Sequence, residues 1–208
     1  MAVIVLTGMP ATGKSTVCKA LAEHFGYPVV EKDAIKEELF DTVGFACYAE
    51  KRALDHGANA VVIHMVEQIL KANGSVIVDN NFDDISGKRF KELLERYAPN
   101  CVCVFLRGDL DVLHQRYTLR DNAHARHLGH VLQEHYPPRP GDSLYYTMTR
   151  DEFCEKFMKR GMDGFSCPGA RLEIDTTDFS KVDSRQIVAQ VQKLLEQGVI
   201  LEMERKSV

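Results

Sequence analysis

An α/β fold is predicted, with a parallel sheet of five strands lying between helices. Three observations predict it. Short apolar runs rich in Val and Ile recur along the chain, amphipathic stretches of helical period separate them, and neither an internal repeat nor a low-complexity segment interrupts the alternation. Short apolar runs suit strands buried on both faces, and alternating strand and helix units build a parallel sheet covered by helices. The 208 residues and the hydrophobic fraction of 45% suit one globular domain, residues 1–208.

The first run, Ala2-Val3-Ile4-Val5-Leu6, follows Met1 at once. It has no basic flank and is too short for the apolar region of a secretory leader, so it reads as a strand over residues 3–7. Further strands are predicted at 28–30, 75–79, 102–106 and 171–174. Helices are predicted at 14–25, 35–40, 48–72, 88–97, 110–119, 151–159 and 184–197. Gly74 is expected to take the left-handed position that ends the third helix. Between Arg120 and Thr149 the alternation breaks: four histidines and three prolines fall there, and Pro137-Pro138-Arg139-Pro140-Gly141 is loop chemistry. An irregular stretch of this length inside a compact domain is usually either functional or disordered; here a mobile lid or substrate cap inserted at about 120–149 is expected.

Composition excludes some functions. The charged fraction is 27% and the net charge −4, which gives no sequence-wide basic signature for nucleic acid but leaves room for a local basic groove. No apolar run approaches the ~18 residues of a membrane span. The six cysteines form no C-x-x-C pair, and Cys101 and Cys103 alternate onto one strand face. Free thiols in a reducing cytoplasm are expected, rather than disulfides or a zinc site.

The strongest motif is Gly8-Met9-Pro10-Ala11-Thr12-Gly13-Lys14-Ser15-Thr16, which contains G-x-x-x-x-G-K-[ST]. Glycines let the backbone turn so that successive N–H groups point at phosphate oxygens, and the helix opening at Lys14 adds its positive end. Lys14 reaches the β and γ phosphates, and Ser15 offers its hydroxyl to Mg²⁺. The motif follows an apolar strand and opens an amphipathic helix, which is the context it requires. ATP and Mg²⁺ are therefore the expected cofactors.

Two carboxylates stand after strands. Val76-Ile77-Val78-Asp79 is an apolar strand ending in an acid. Asp79 is either a Walker B group holding Mg²⁺ or a cap on the turn that follows. Asp33 sits at the edge of the second strand, where it could accept the proton of an attacking hydroxyl, bind Mg²⁺ through water, or serve as the N-cap of the next helix. Arg116 and Arg120 are one turn apart, with Arg126 beyond them. Arg126 and Arg120 are favoured for a lid that brings a guanidinium to the transferring phosphoryl group; the competing reading is a solvated face. His124, His127, His130 and His135 match no zinc spacing and are read as loop residues, some of them near an anionic ligand.

Taken together, these residues resemble the P-loop kinase group that holds polynucleotide 5′-kinases, chloramphenicol phosphotransferase, zeta toxins, gluconate kinase and shikimate kinase. The resemblance runs in order through the phosphate loop, Glu31-Lys32-Asp33, Val76-Ile77-Val78-Asp79-Asn80-Asn81-Phe82, the stretch from Arg120 to Arg126, and Glu173-Ile174-Asp175-Thr176-Thr177. It implies an ATP-binding kinase of P-loop NTPase fold, with Asp33 as general base or acceptor carboxylate and Arg120 and Arg126 as nucleotide and lid arginines. It also implies Thr176 near the adenine. The acceptor residues of shikimate and gluconate kinases have no match here. The expected function is transfer of the γ-phosphoryl group to a small-molecule hydroxyl. A polynucleotide 5′-hydroxyl kinase and a regulatory ATPase remain alternatives.

Overall fold

A computed structural model describes residues 1–97, 99–123, 126–145 and 148–206, with side chains described to residue 198. Its five strands are β1 (Ala2–Gly8), β2 (Val29–Glu31), β3 (Val76–Asp79), β4 (Asn100–Arg107) and β5 (Ala170–Asp175). They form one parallel sheet in the order β2-β3-β1-β4-β5. The helices are α1 (Lys14–Phe25), α2 (Lys32–Val43), α3 (Tyr48–Lys71), α4 (Asp84–Tyr97), α5 (Leu110–Asn122), α6 (Leu128–Val131), α7 (Arg150–Met158) and α8 (Ser184–Lys206).

The pleat sends alternate residues to opposite faces, and both faces are covered. Val3, Val5, Val78 and Cys103 pack with α3 and α4 side chains such as Val62, Val66 and Phe90. Ile4, Leu6, Val102 and Val104 pack with Leu21 of α1 and Val191 of α8. Register sets Leu6 beside Asp79 and Asp79 beside Glu31, so three strand ends reach one edge together. In a parallel sheet of this kind ligands bind at that carboxyl edge, where chain connections diverge to either side of β1.

Three local expectations are corrected. α2 begins at Lys32, so Glu31 is its N-cap residue and Asp33 lies in the first turn. The left-handed residue ending α3 is Asn73 (φ 56°), not Gly74. Asn73 N–H donates to Leu70 O at 3.0 Å and Gly74 N–H to Ile69 O at 2.9 Å, the paired bonds of a Schellman turn, and Asn tolerates that conformation. α5 runs on to Asn122, and the segment after it has its own core: Phe40 and Phe45 pack with Leu128, Leu132, Tyr136 and Leu144, and α6 forms there. All six cysteines are free; Cys101, Cys103 and Cys18 are buried, whereas Cys47 is exposed. Among the described residues no helix is long and apolar enough to cross a membrane.

Candidate active site

The loop between β1 and α1 turns through positive φ at Gly8 (133°), Ala11 (65°) and Gly13 (84°). Glycine is required at two of these places. A Cβ on Gly8 would lie 2.0 Å from Leu106 O, and one on Gly13 would lie 2.2 Å from the Phe179 ring. Lys14 is buried, and its Nζ donates to Gly8 O (3.2 Å), Met9 O (2.9 Å) and the Thr12 hydroxyl (3.4 Å). Thr12 in turn donates to Met9 O at 2.9 Å. The lysine is thereby held across the mouth of its own loop.

A cavity of about 350 Å³ opens over this loop. Pro10, Ala11, Gly13, Lys14, Ser15 and Thr16 line one side; Asp33, Asp79, Asn80 and Asn81 line another; Arg116, Arg120 and Arg126 close it. The fold thus brings together the loop, both predicted carboxylates and all three arginines. Gly8, Met9 and Thr12 shape the loop from behind. Thr176, expected near the adenine, is not among the residues that line this cavity. It is fully buried and its hydroxyl donates to Arg107 O at 2.9 Å. The carbonyls of Thr176 and Thr177 accept from Arg116 at 2.6 and 2.8 Å, so this loop fixes the arginine that the sequence reading ranked lowest. Asp175 bonds Thr177 N–H at 2.9 Å, as an ordinary Asp turn does.

Electrostatics follow from burial. Desolvation raises the Asp79 carboxyl to about 7, against the pull of Lys14 and with help from Asp33 and Glu31. Desolvation lowers Lys14 to about 8, while Asp79 and Asp33 support its charge and Arg120 and Arg126 oppose it. Asp33 behaves in the opposite way to Asp79. Burial alone would raise it, but His130, Lys32, Arg126 and Lys36 together hold it well below the usual carboxylate range. Its side chain is 53% exposed to the cleft, which weakens the burial contribution further. The oxygens of Ser15, Asp79 and Asp33 border the same cavity, and Asn81 Oδ1 is buried there without a protein partner. Such hard donors suit Mg²⁺. Cys18, Glu31 and Asp79 also cluster; burial pushes the Cys18 thiol up to about 12, and a soft sulfur donor does not suit Mg²⁺.

Arg126 is held on two sides. It donates to Asp121 at 3.1 Å and to Asp33 at 3.4 Å. Asp121, which is buried, also accepts from Arg120 at 3.2 Å. Sequence reasoning missed Asp121 because an acid on a charged helix gives no signal. The histidines are anchored to acids: His127 meets Asp41 at 3.0 Å, His130 meets Glu37 at 2.9 Å and His135 meets Asp142 at 2.8 Å. His124 lies outside the described residues.

Residues 3–138 match the AAA domain family AAA_33. The chain belongs to that family. Its P-loop kinase character agrees with the relatives. Cytidylate kinase of Pyrobaculum islandicum is 28% identical over 126 residues, which is 58% of this chain and 61% of that enzyme. Cytidylate kinase of Pyrobaculum aerophilum is 26% identical over 127 residues. The chain therefore spans less than two thirds of these relatives. A solved structure of a candidate kinase from Chloroflexus aurantiacus J-10-fl is 28% identical, covers 93% of this chain and 97% of its own, and superposes with a TM-score of 0.75. A gluconokinase structure from Sinorhizobium meliloti 1021, 17% identical with a TM-score of 0.56 and covering 98% of this chain and 97% of its own, shares the fold.

Proposed function

We propose that this AAA_33 protein is an ATP-dependent phosphotransferase acting on the hydroxyl of a small molecule. One observation carries the reading: Asp33 borders two cavities at once, the one over the phosphate loop and a second that opens beyond it. A group placed there stands between the γ-phosphate and whatever enters from the far side.

The acceptor oxygen bonds to the γ-phosphorus as the bond from that phosphorus to the β–γ bridging oxygen breaks. The electron pair leaves with the bridging oxygen, and ADP departs. The hydroxyl proton passes to Asp33 and then to water. A strongly acidic carboxylate is a weak base, yet it suffices here. In a loose phosphoryl transfer the oxygen becomes acidic only as the new bond forms, and before that the carboxylate orients it. A phosphate acceptor, as in the reaction that a cytidylate kinase is named for, would bring negative charge against Asp33, so a hydroxyl fits better. Lys14 and Arg126 offset the charge spread over the γ-phosphoryl oxygens. Ser15 and Asp79 would hold Mg²⁺, which when bound neutralises phosphate charge.

Asp33→Asn tests the assignment. Asp33 is not the helix cap, so the substitution costs the few tenths of a kcal/mol of an acid in a first helical turn plus up to about 1 kcal/mol for its half-exposed ion pair with Arg126. Single-turnover transfer is expected to fall by about 10²-fold or more with ATP affinity retained. A normal transfer rate would refute the role.

A further inference from the structure

The second cavity, about 90 Å³, has a lining that the phosphate loop does not explain. Lys32, Lys36, Lys51, Arg126, Lys156 and Arg160 face it, against the carboxylates Asp33 and Asp55. These cations come from α2, α3, the segment after α5, α7 and the turn beyond it. They are not a solvated surface run: Lys32 and Lys51 are buried, and Lys36 is 13% exposed. Asp55 is committed inside the wall, to Lys32 (2.8 Å), Lys36 (2.9 Å) and Arg160 (3.2 Å). Among the described residues Lys51 pairs with no carboxylate. Its Nζ donates to the backbone carbonyls of His130 (3.0 Å) and Leu132, which gives it position without neutralising it. Burial lowers Lys51 to about 7 and also lowers Lys36 and Lys156, with the neighbouring cations adding to the effect in each case. Gathering buried like charges is costly unless an anion completes the site.

We propose that the acceptor is a phosphorylated small alcohol, its phosphate held by Lys36, Lys51, Lys156 and Arg160 and its free hydroxyl at Asp33. This rests on the phosphotransferase reading of the same site. Charge selects phosphate over carboxylate. A phosphate monoester carries about −1.5 to −2 at neutral pH, against −1 for a carboxylate, and the lining, with Arg52 included, has five more cations than carboxylates. Position assigns the roles. Lys32 and Arg126 border both cavities, whereas Lys36, Lys51, Lys156 and Arg160 line only the second, so an anion there anchors the molecule while a different oxygen meets the γ-phosphorus.

The test begins with binding. The protein is first saturated with Mg²⁺ and a non-hydrolysable ATP analogue, which fills the phosphate loop, and inorganic phosphate is then titrated by calorimetry. One phosphate per chain is expected, weakened at least tenfold in Lys156→Gln and in Lys51→Gln. ATP-analogue affinity, measured separately, reports whether each variant is folded. No phosphate binding to the saturated wild-type protein, or binding unchanged in both folded variants, would overturn the proposal. Transfer is then measured on matched alcohols: glycerol, glycerate and glycerol 3-phosphate, and ribose, ribonate and ribose 5-phosphate. Turnover confined to phosphate esters, with new monoester bonds by phosphorus NMR, supports the proposal. Preference for neutral or carboxylate members, or a product with a phosphoanhydride bond, overturns it. Transfer to a neutral alcohol would leave the phosphotransferase reading standing, so the two can fail separately.

Discussion

Replacing Asp55 with Asn keeps the shape of the side chain and removes the carboxylate that three cations share. Its side chain is 6% exposed, and Lys32, Lys36 and Arg160 approach it at 2.8, 2.9 and 3.2 Å. Arg160 keeps a second partner in Asp83 at 3.0 Å, so the loss falls mainly on the two lysines. At an effective dielectric of about 20, each contact at this distance is on the order of 5 kcal/mol, and the desolvation of Asp55 that is no longer incurred offsets a large part. The net loss for breaking a buried pair from one side is about 3–5 kcal/mol. With a urea slope of about 2 kcal/mol per molar, the unfolding midpoint should fall by about 1.5–2.5 M. The pH dependence has a definite sign. Burial opposes the Asp55 charge, but Lys32 and Lys36 outweigh it and hold the carboxyl far below its ordinary value. Its stabilisation is therefore full above the unfolded value of about 3.9 and is lost as pH falls toward the folded one. Wild type and variant should converge in acid. A loss under about 1 kcal/mol at neutral pH would mean that the lysines are well hydrated, and the picture of a dry cationic wall would be wrong.

Two further outcomes are expected. Burial pushes the Asp79 carboxyl up to about 7, and its ionised form is the one suited to Mg²⁺, so Mg²⁺-dependent nucleotide affinity should fall up to about tenfold per pH unit below that value. Asp79→Asn should flatten this limb, and an unchanged acid limb in the variant would assign it to another group. Phe40, which is 1% exposed and packs with Phe45, His130 and Tyr136 at 5.5 to 6.1 Å between rings, should cost about 3–5 kcal/mol as Phe40→Ala. Hydrogen exchange should speed up across residues 127–136 before it does in β1, and uniform loss of protection would deny that segment a core of its own.

The sheet was legible because its strands are buried on both faces and leave unbroken apolar runs such as Val3 to Leu6. The phosphate loop was legible because its chemistry depends on glycines and a lysine at fixed spacing. The start of α2 was not. Glu31-Lys32-Asp33 is polar and offers Asp33 as the N-cap, whereas the helix already starts at Lys32, which finds a buried partner in Asp55, far away in the chain. The cationic cavity left no trace for the same reason. Lys36, Lys51 and Lys156 each sit on a helix whose local pattern fits an exposed face, and only folding sets them together. Thr176 shows the converse. Its side chain turns inward to Arg107, and only its carbonyl, through Arg116, reaches the edge of the cavity.

α2 carries Asp33 in its first turn, Lys36 in the next, and Glu37, Phe40 and Asp41 further on, where they meet His130, His127 and Tyr136. Arg126 precedes those histidines and itself bonds Asp33. The helix is therefore a shared wall. On the proposed assignment of the two cavities, whatever reorients its first turn from the second cavity also acts on the segment that carries Arg126 at the first. Linkage makes such an effect mutual: an acceptor that tightens this contact must raise affinity for nucleotide, and nucleotide must raise affinity for acceptor by the same factor. An enzyme built this way would hold its arginine best when both substrates are present, and ATP alone would be poorly placed for attack by water.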